Sequence, residues 1–340
     1  LLPQTMASLK CRSVSAVLLL TLCVSASTAY VHPTQRTNIK SFRTHAFRRP
    51  ISSLDPVTPR HNKVVLHGVA GSGLVEAGQG LLGSLFSFQG NVPLWQAFGL
   101  NAFLFATLQS KLFKMLTPEG FAHSFALGTL LWTTLGWRGW TLCVLYLFLG
   151  QLVTKVRFEE KEKRGIAEGR GGRRGPENVW GSAATALICA ACSVQGDTFL
   201  GVGSNLYVLG FVSALATKLS DTFASEIGKA YGKTTFLITT LERVKPGTEG
   251  AVSAEGTAAA LFGGLLLPIY GYFIQLNSVP AIAVAGFAAF LACNFESVLG
   301  ATLQEKEGFG WMTNEVVNFI NTVVGASLAM IMGRLFLGMA

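Results

Sequence analysis

Long apolar stretches alternate with short polar ones from residue 92 to the last residue. The clearer runs cover about 92–115, 120–137, 139–155, 178–196, 198–219, 251–274, 279–303 and 314–338. Each approaches the ~20 apolar residues that a helix needs to cross a bilayer. The pattern predicts an all-α fold, a polytopic membrane helix bundle of about eight transmembrane helices. No polar stretch between the runs is long enough to fold alone, so residues 92–340 read as one integral membrane domain.

Ahead of the bundle the pattern changes. From Met6, Lys10 and Arg12 precede an apolar core, Val14–Val24, and the small residues Ser27-Thr28-Ala29. Residues 1–29 thus read as upstream residues and a signal peptide. Residues 30–54 carry Arg, Ser and Thr without an acid, the composition of a transit peptide. Together they resemble a bipartite plastid leader; an ordinary secreted or endomembrane protein with a basic N-terminus is the alternative. Residues 55–91 hold seven glycines and form a linker, in which Val64–Phe88 either lies at the interface or spans weakly.

Composition agrees with the bundle. The chain is 50% hydrophobic and 13% charged, against ~25% charged in soluble domains. Its 38 glycines suit closely packed spanning helices. The net charge of +9 belongs mostly to residues 1–54, which hold seven Lys/Arg and no acid; the rest carries 20 basic and 18 acidic residues. Nucleic acid is therefore not an expected partner. Cys143, Cys189, Cys192 and Cys293 lie in apolar runs and read as buried free thiols.

Counting spans puts the loops 156–177, 220–250 and 304–313 on one side. They carry most of the charge, while the opposite loops are short and nearly uncharged. The positive-inside rule places the charged face on the cytosolic or stromal side, where nucleotides are found.

Candidate chemistry gathers there. Asp221 is an acid where membrane meets water, and ionisable groups at such depth are costly. A carboxylate beside phosphates is a simple Mg2+ ligand; a helix-end acid pairing with Lys218 is the alternative. On a helix Asp221, Ser225 and Gly228 share a face, which Gly232 extends. The two glycines admit either a ligand or a neighbouring backbone. Lys229, Lys233, Arg243 and Lys245 supply positive charge. Pro246-Gly247 turns the chain, and Thr248 can donate a hydrogen bond to an anion. Gly228 to Thr234 looks like a P-loop, but three residues separate its glycines where four are needed, and no strand precedes it. An ATP-binding P-loop domain is rejected. Glu296, Glu315 and Asn318 sit at shallow depth in the last two spans; the two acids offer catalytic or second-metal groups, and Asn318 a substrate contact or a hydrogen bond that joins helices. Arg173 and Arg174 could clamp a phosphate or anchor the loop.

These residues carry a resemblance. LTPEGFAHSFALGTLLW (116–132), GWRGW (136–140), GIAEGRGGRRGPENVWGS (165–182), SDTFASEIGKAYGK (220–233), KPGTEGAVSAEGT (245–257), ESVLGATLQ (296–304) and TNEVVNFINT (313–322) resemble the plastid phytyl-phosphate kinase family of the vitamin E pathway. More distantly, the layout is similar to CTP-dependent phytol and polyprenol kinases and phosphatidate cytidylyltransferases, which often have glycine where Ser220 stands. The resemblance implies phosphoryl transfer from a nucleotide, with CTP favoured, to phytyl phosphate or another prenyl phosphate in a plastid membrane. It also carries a metal and nucleotide role onto Asp221. The rivals are a phytol kinase, a lipid cytidylyltransferase and a prenyl-lipid transporter; no convincing internal repeat favours transport.

Overall fold

The computed structural model describes residues 92–304 and 306–340. The leader, the Gly-rich linker and Val64–Phe88 lie outside the described residues. Eight helices of 17 residues or more occur among those described.

Helix α1 (Leu94–Met115) is followed at once by α2 (Pro118–Thr134). The Thr117 hydroxyl accepts from the Gly120 amide and Pro118 opens the first turn, a strong start signal. One residue separates α2 from α3 (Gly136–Lys155), and Gly136 makes the reversal at φ 60°. A short α4 (Phe158–Lys163) and a 3-10 turn (Arg170–Gly172) lead to α5 (Pro176–Ser193). A hairpin of two-residue strands, β1 (Thr198–Phe199) and β2 (Val202–Gly203), precedes α6 (Ser204–Tyr231). A second, β3 (Phe236–Leu237) with β4 (Ala251–Val252), precedes α7 (Ala254–Phe273). Helices α8 (Val279–Leu303) and α9 (Asn314–Leu337) complete the chain.

The run 198–219 was expected to be a span and 220–250 a loop. Instead the helix begins at Ser204 and continues to Tyr231. Two features explain the shift. Gly196 and Gly201 have positive φ and turn the entry segment into a hairpin. Beyond Thr222 the chain stays helical because Arg157 and Arg164 donate to the Ala230 and Lys229 carbonyls at the helix end.

Helix α6 is the axis of the bundle. Every residue from Leu209 to Thr222 is buried, and α3, α5, α7, α8 and α9 all pack on it. Small residues bring the backbones close. A Cβ on Gly210 would meet the sulfur of Met330 at 2.9 Å, and one on Gly256 the Ala224 carbonyl oxygen at 2.8 Å. This is the packing of helices that gain nothing from hydrophobicity alone.

The outside is apolar. Trp95, Phe103, Phe262, Phe273, Leu335 and Phe336 are all more than 60% exposed, a surface that suits hydrocarbon and not water. Helices α7, α8 and α9 are long and apolar enough to cross a bilayer by length and composition alone.

Candidate functional site

The end of the bundle bearing the charged loops holds a cavity of about 280 Å³. Its floor is one stripe of α6: Lys218, Asp221, Thr222, Ser225, Gly228 and Lys229. These positions recur at three- and four-residue intervals, so they stack along one helix face. Residues 246–252 and the first turn of α7 form one wall, and the last turns of α8, with Glu296 and Ser297, another. Glu168 and Arg174 from the loop before α5 close the rim.

Lys218 organises the floor. It is 5% exposed, and its Nζ donates to Asp221 Oδ2 at 2.5 Å and to Asn318 Oδ1 at 2.6 Å. The pairing weighed from sequence is therefore present, yet Asp221 also lines the cavity. A buried pair tolerates removal of neither partner, since the survivor is an uncompensated charge. Asn318 supports the lysine from α9 rather than facing a ligand, so it positions the pair. Glu296 has Asp221, Lys218 and Glu249 as its charged neighbours.

The second buried pair holds the roof. Lys161 is fully buried; its Nζ pairs with Glu226 of α6 and donates to the Thr154 carbonyl at 2.9 Å. This ties the charged loop 156–175 down onto α6. Arg174 pairs with Glu168 at 3.7 Å and donates to Thr154 Oγ1 at 3.4 Å. Its backbone joins the α1–α2 corner, accepting from the Thr117 amide at 3.0 Å.

The turn at Pro246 forms as the sequence implies. Gly247 has φ 91°, and the Thr248 amide donates to the Lys245 carbonyl at 3.2 Å, the form of a type II turn. The Thr248 hydroxyl is spent on that same carbonyl at 2.8 Å. At the adjoining start of α7, Ser253 Oγ accepts from the Gly256 amide at 3.1 Å. A helix N-terminus, with its partial positive charge, thus opens onto the cavity.

Of the residues singled out from sequence, Asp221, Ser225, Gly228, Lys229, Gly247, Thr248, Arg174 and Glu296 share the cavity. Lys233, Arg243 and Lys245 do not line it. They are exposed on the segment between α6 and α7, Lys233 ahead of β3 and Arg243 and Lys245 in the β3–β4 connection. Arg173 is exposed beside Arg174 and also outside the lining. Gly232 caps α6, and a Cβ there would lie 3.1 Å from Ser253 Oγ. The two glycines therefore admit a neighbouring helix, with Gly228 also open to the cavity. The resemblance to a P-loop fails structurally, because Gly228 to Thr234 ends a helix, where the dipole repels phosphate. Glu315 lies outside the lining and accepts from Asn178 Nδ2 at 3.5 Å, joining α9 to α5.

Sequence reasoning missed Lys218 as a working residue, and Glu226, Glu168 and Asn294 as lining. Lys218 left one signal, a cation in an apolar run three residues before an acid. The others left none, because their placement depends on which helix faces which.

Five carboxylates and three cations line the cavity. Among the described residues no three His, Cys, Asp or Glu side chains converge into a metal-chelating group. The donor set nonetheless fits magnesium, which takes one or two carboxylates and completes its shell from phosphates and water.

No solved structure matches this chain. It is 52% identical to an uncharacterized membrane protein of Synechocystis, over 70% of this chain and 90% of that one. It is 44% identical to Protein VTE6, chloroplastic, of Arabidopsis thaliana, over 72% of this chain and 74% of that one. An uncharacterized membrane protein of Methanocaldococcus jannaschii is 31% identical over 66% of this chain and 88% of its own. The model of the integral membrane protein family DUF92 matches residues 101–326, and the chain belongs to that family.

Proposed function

We propose that this protein is a phytyl-phosphate kinase of a plastid membrane, transferring a phosphoryl group from a nucleotide, CTP in the first instance, to phytyl phosphate. Support comes from the similarity to VTE6, from the resemblance in the motifs at 220–233 and 245–257, and from the cavity that these motifs build. The observation that carries the reading is the Lys218–Asp221 pair, buried in the bundle yet lining a polar cavity beside a helix N-terminus. A charged pair is costly to bury, and unlike Lys161–Glu226 this one also opens onto the chamber, the position in which buried ionisable groups mark a functional site.

An oxygen of the acceptor phosphate attacks the γ-phosphorus, and the bond to the β–γ bridging oxygen breaks. The products are phytyl diphosphate and CDP. The acceptor oxygen is already ionised, so no strong base is required, and positioning with charge neutralisation supplies the catalysis. Magnesium, when bound, neutralises the nucleotide phosphates. Asp221, with Glu296 beside it, would hold the ion. Lys218 fixes the Asp221 carboxylate, Lys229 and Arg174 meet phosphate charge, and the α7 amides accept an anion. All eight long helices would cross the membrane, with the cavity on the stromal side.

Purified protein supplied with labelled CTP and, in turn, phytyl phosphate, phytol and phosphatidate tests this by product. Phytyl diphosphate is expected. Phytyl phosphate made from phytol, or CDP-lipid with released pyrophosphate, would replace the reading by one of its superfamily rivals. Asp221→Asn should lower kcat by about 100-fold or more.

A further inference from the structure

A second, apolar cavity lies between α1, α2, α3 and α5. Phe105, Leu112, Leu127, Leu131, Val144 and Leu147 line it. Along α3 the lining runs from Gly150 to Trp140, ten residues or about 15 Å at the rise of an α-helix. Trp140 closes the far end. Its Nε1 donates to Asn101 Oδ1 at 2.9 Å, and Asn101 in turn donates to the Phe125 carbonyl at 2.7 Å, so the ring is held in place. The near end meets the charged loop, where Gln151 Nε2 donates to the Gly172 carbonyl at 2.9 Å.

Arg174 lines both cavities. One side chain, only 13% exposed, thus stands where an apolar slot meets a polar chamber. A ligand spanning the two must have a hydrocarbon tail and an anionic head. The enclosed space of the slot is about 70 Å³. It confines part of a long tail, and the rest would pass between half-buried Leu108 and Val144 towards lipid.

We propose that this slot is the binding site for the prenyl tail of the acceptor, with its phosphate at Arg174 and facing the nucleotide chamber. The proposal rests on the kinase reading for its ligand. It also explains why Arg174 is joined by its backbone to the α1–α2 corner: the head-group anchor and the tail slot then move as one unit.

Gly150 supplies the test. It lines the slot, and a Cβ built on it meets nothing within 4 Å. Gly150→Leu and Gly150→Phe therefore enter the slot from a Cβ that meets no other atom, and both favour helix over glycine. The KM for phytyl phosphate should rise at least about tenfold, because lost contacts of even one methylene reach that size. The KM for CTP and the thermal midpoint in detergent should stay unchanged. In parallel, a phytyl phosphate analogue with a photoreactive diazirine near its tail end is irradiated with the wild-type protein. Labelled peptides are expected from 118–134 and 136–155, with labelling lost in Gly150→Phe and competed by phytyl phosphate. Unchanged KM in both folded variants, or labelling confined to α7, α8 and α9, would overturn the slot while leaving the kinase intact. Absence of transfer to any prenyl phosphate would overturn the kinase reading instead, and the labelling would still decide the slot.

Discussion

Lys218 shows how a single side chain sets the character of a site. It sits in the most buried stretch of the protein and serves two partners from one nitrogen. Removing it leaves the Asp221 carboxylate buried without its cation. Lys218→Met should cost about 3–5 kcal/mol, seen as a lowered unfolding midpoint in detergent. Adding Asp221→Asn should recover part of the loss, because the two positions are directly coupled. The exposed cations behave differently. Lys245→Ala should leave the KM for nucleotide within about twofold, since surface charges contribute little. Lys229→Ala should raise it about tenfold through a lost charge-assisted hydrogen bond. From sequence both lysines were expected to meet phosphate charge; only the course of the β3–β4 connection, which leaves Lys245 outside the chamber, separates them.

At the scale of elements, the crossing of α6 with the start of α7 determines the shape of the chamber. Gly228 and Gly256 face each other there, and a Cβ on either approaches the partner's backbone. At Gly256 the obstacle is the Ala224 carbonyl oxygen at 2.8 Å, which cannot rotate away. Gly256→Ala should therefore push the helices apart and cost about 1–3 kcal/mol. A drop in thermal midpoint with a matching rise in the KM for nucleotide would register both effects. The positions of the long helices were legible from apolar run length. The continuation of α6 to Tyr231 was legible only in the shared face of Asp221, Ser225 and Gly228, because its last turns are polar and are stabilised by Arg157 and Arg164 from 60 to 80 residues away in the chain.

At the scale of the whole molecule, the chamber lies at the end where the α3–α5, α6–α7 and α8–α9 connections meet. Gln275, in the α7–α8 connection, lies instead against Arg138 at the start of α3. This arrangement predicts a topology. In a background lacking Cys143, Cys189, Cys192 and Cys293, single cysteines at the exposed positions Lys163 and Arg243 should react with an impermeant maleimide from one side of sealed vesicles. Those at Asp197 and Ser278 should react from the other. Labelling of all four from the same side would contradict the proposal that all eight long helices cross the membrane.

The run of apolar residues by itself determined that this chain is a helical membrane bundle, and the loop parity determined which connections meet, because both follow from bilayer thickness and chain continuity. The motif residues pointed to phosphate chemistry near Asp221 for a similar reason: polar groups at a membrane boundary are few and costly. Only the tertiary structure decided that Lys218, itself held by Asn318, pairs with that aspartate and that three of the expected cations lie outside the chamber. It alone placed Arg174 between a polar chamber and an apolar slot. The first depends on the rotation of α6 and α9 about their axes, and the others on the course of the connections over the bundle end; both are fixed by contacts between segments distant in the chain, which leave no periodic trace in any one of them.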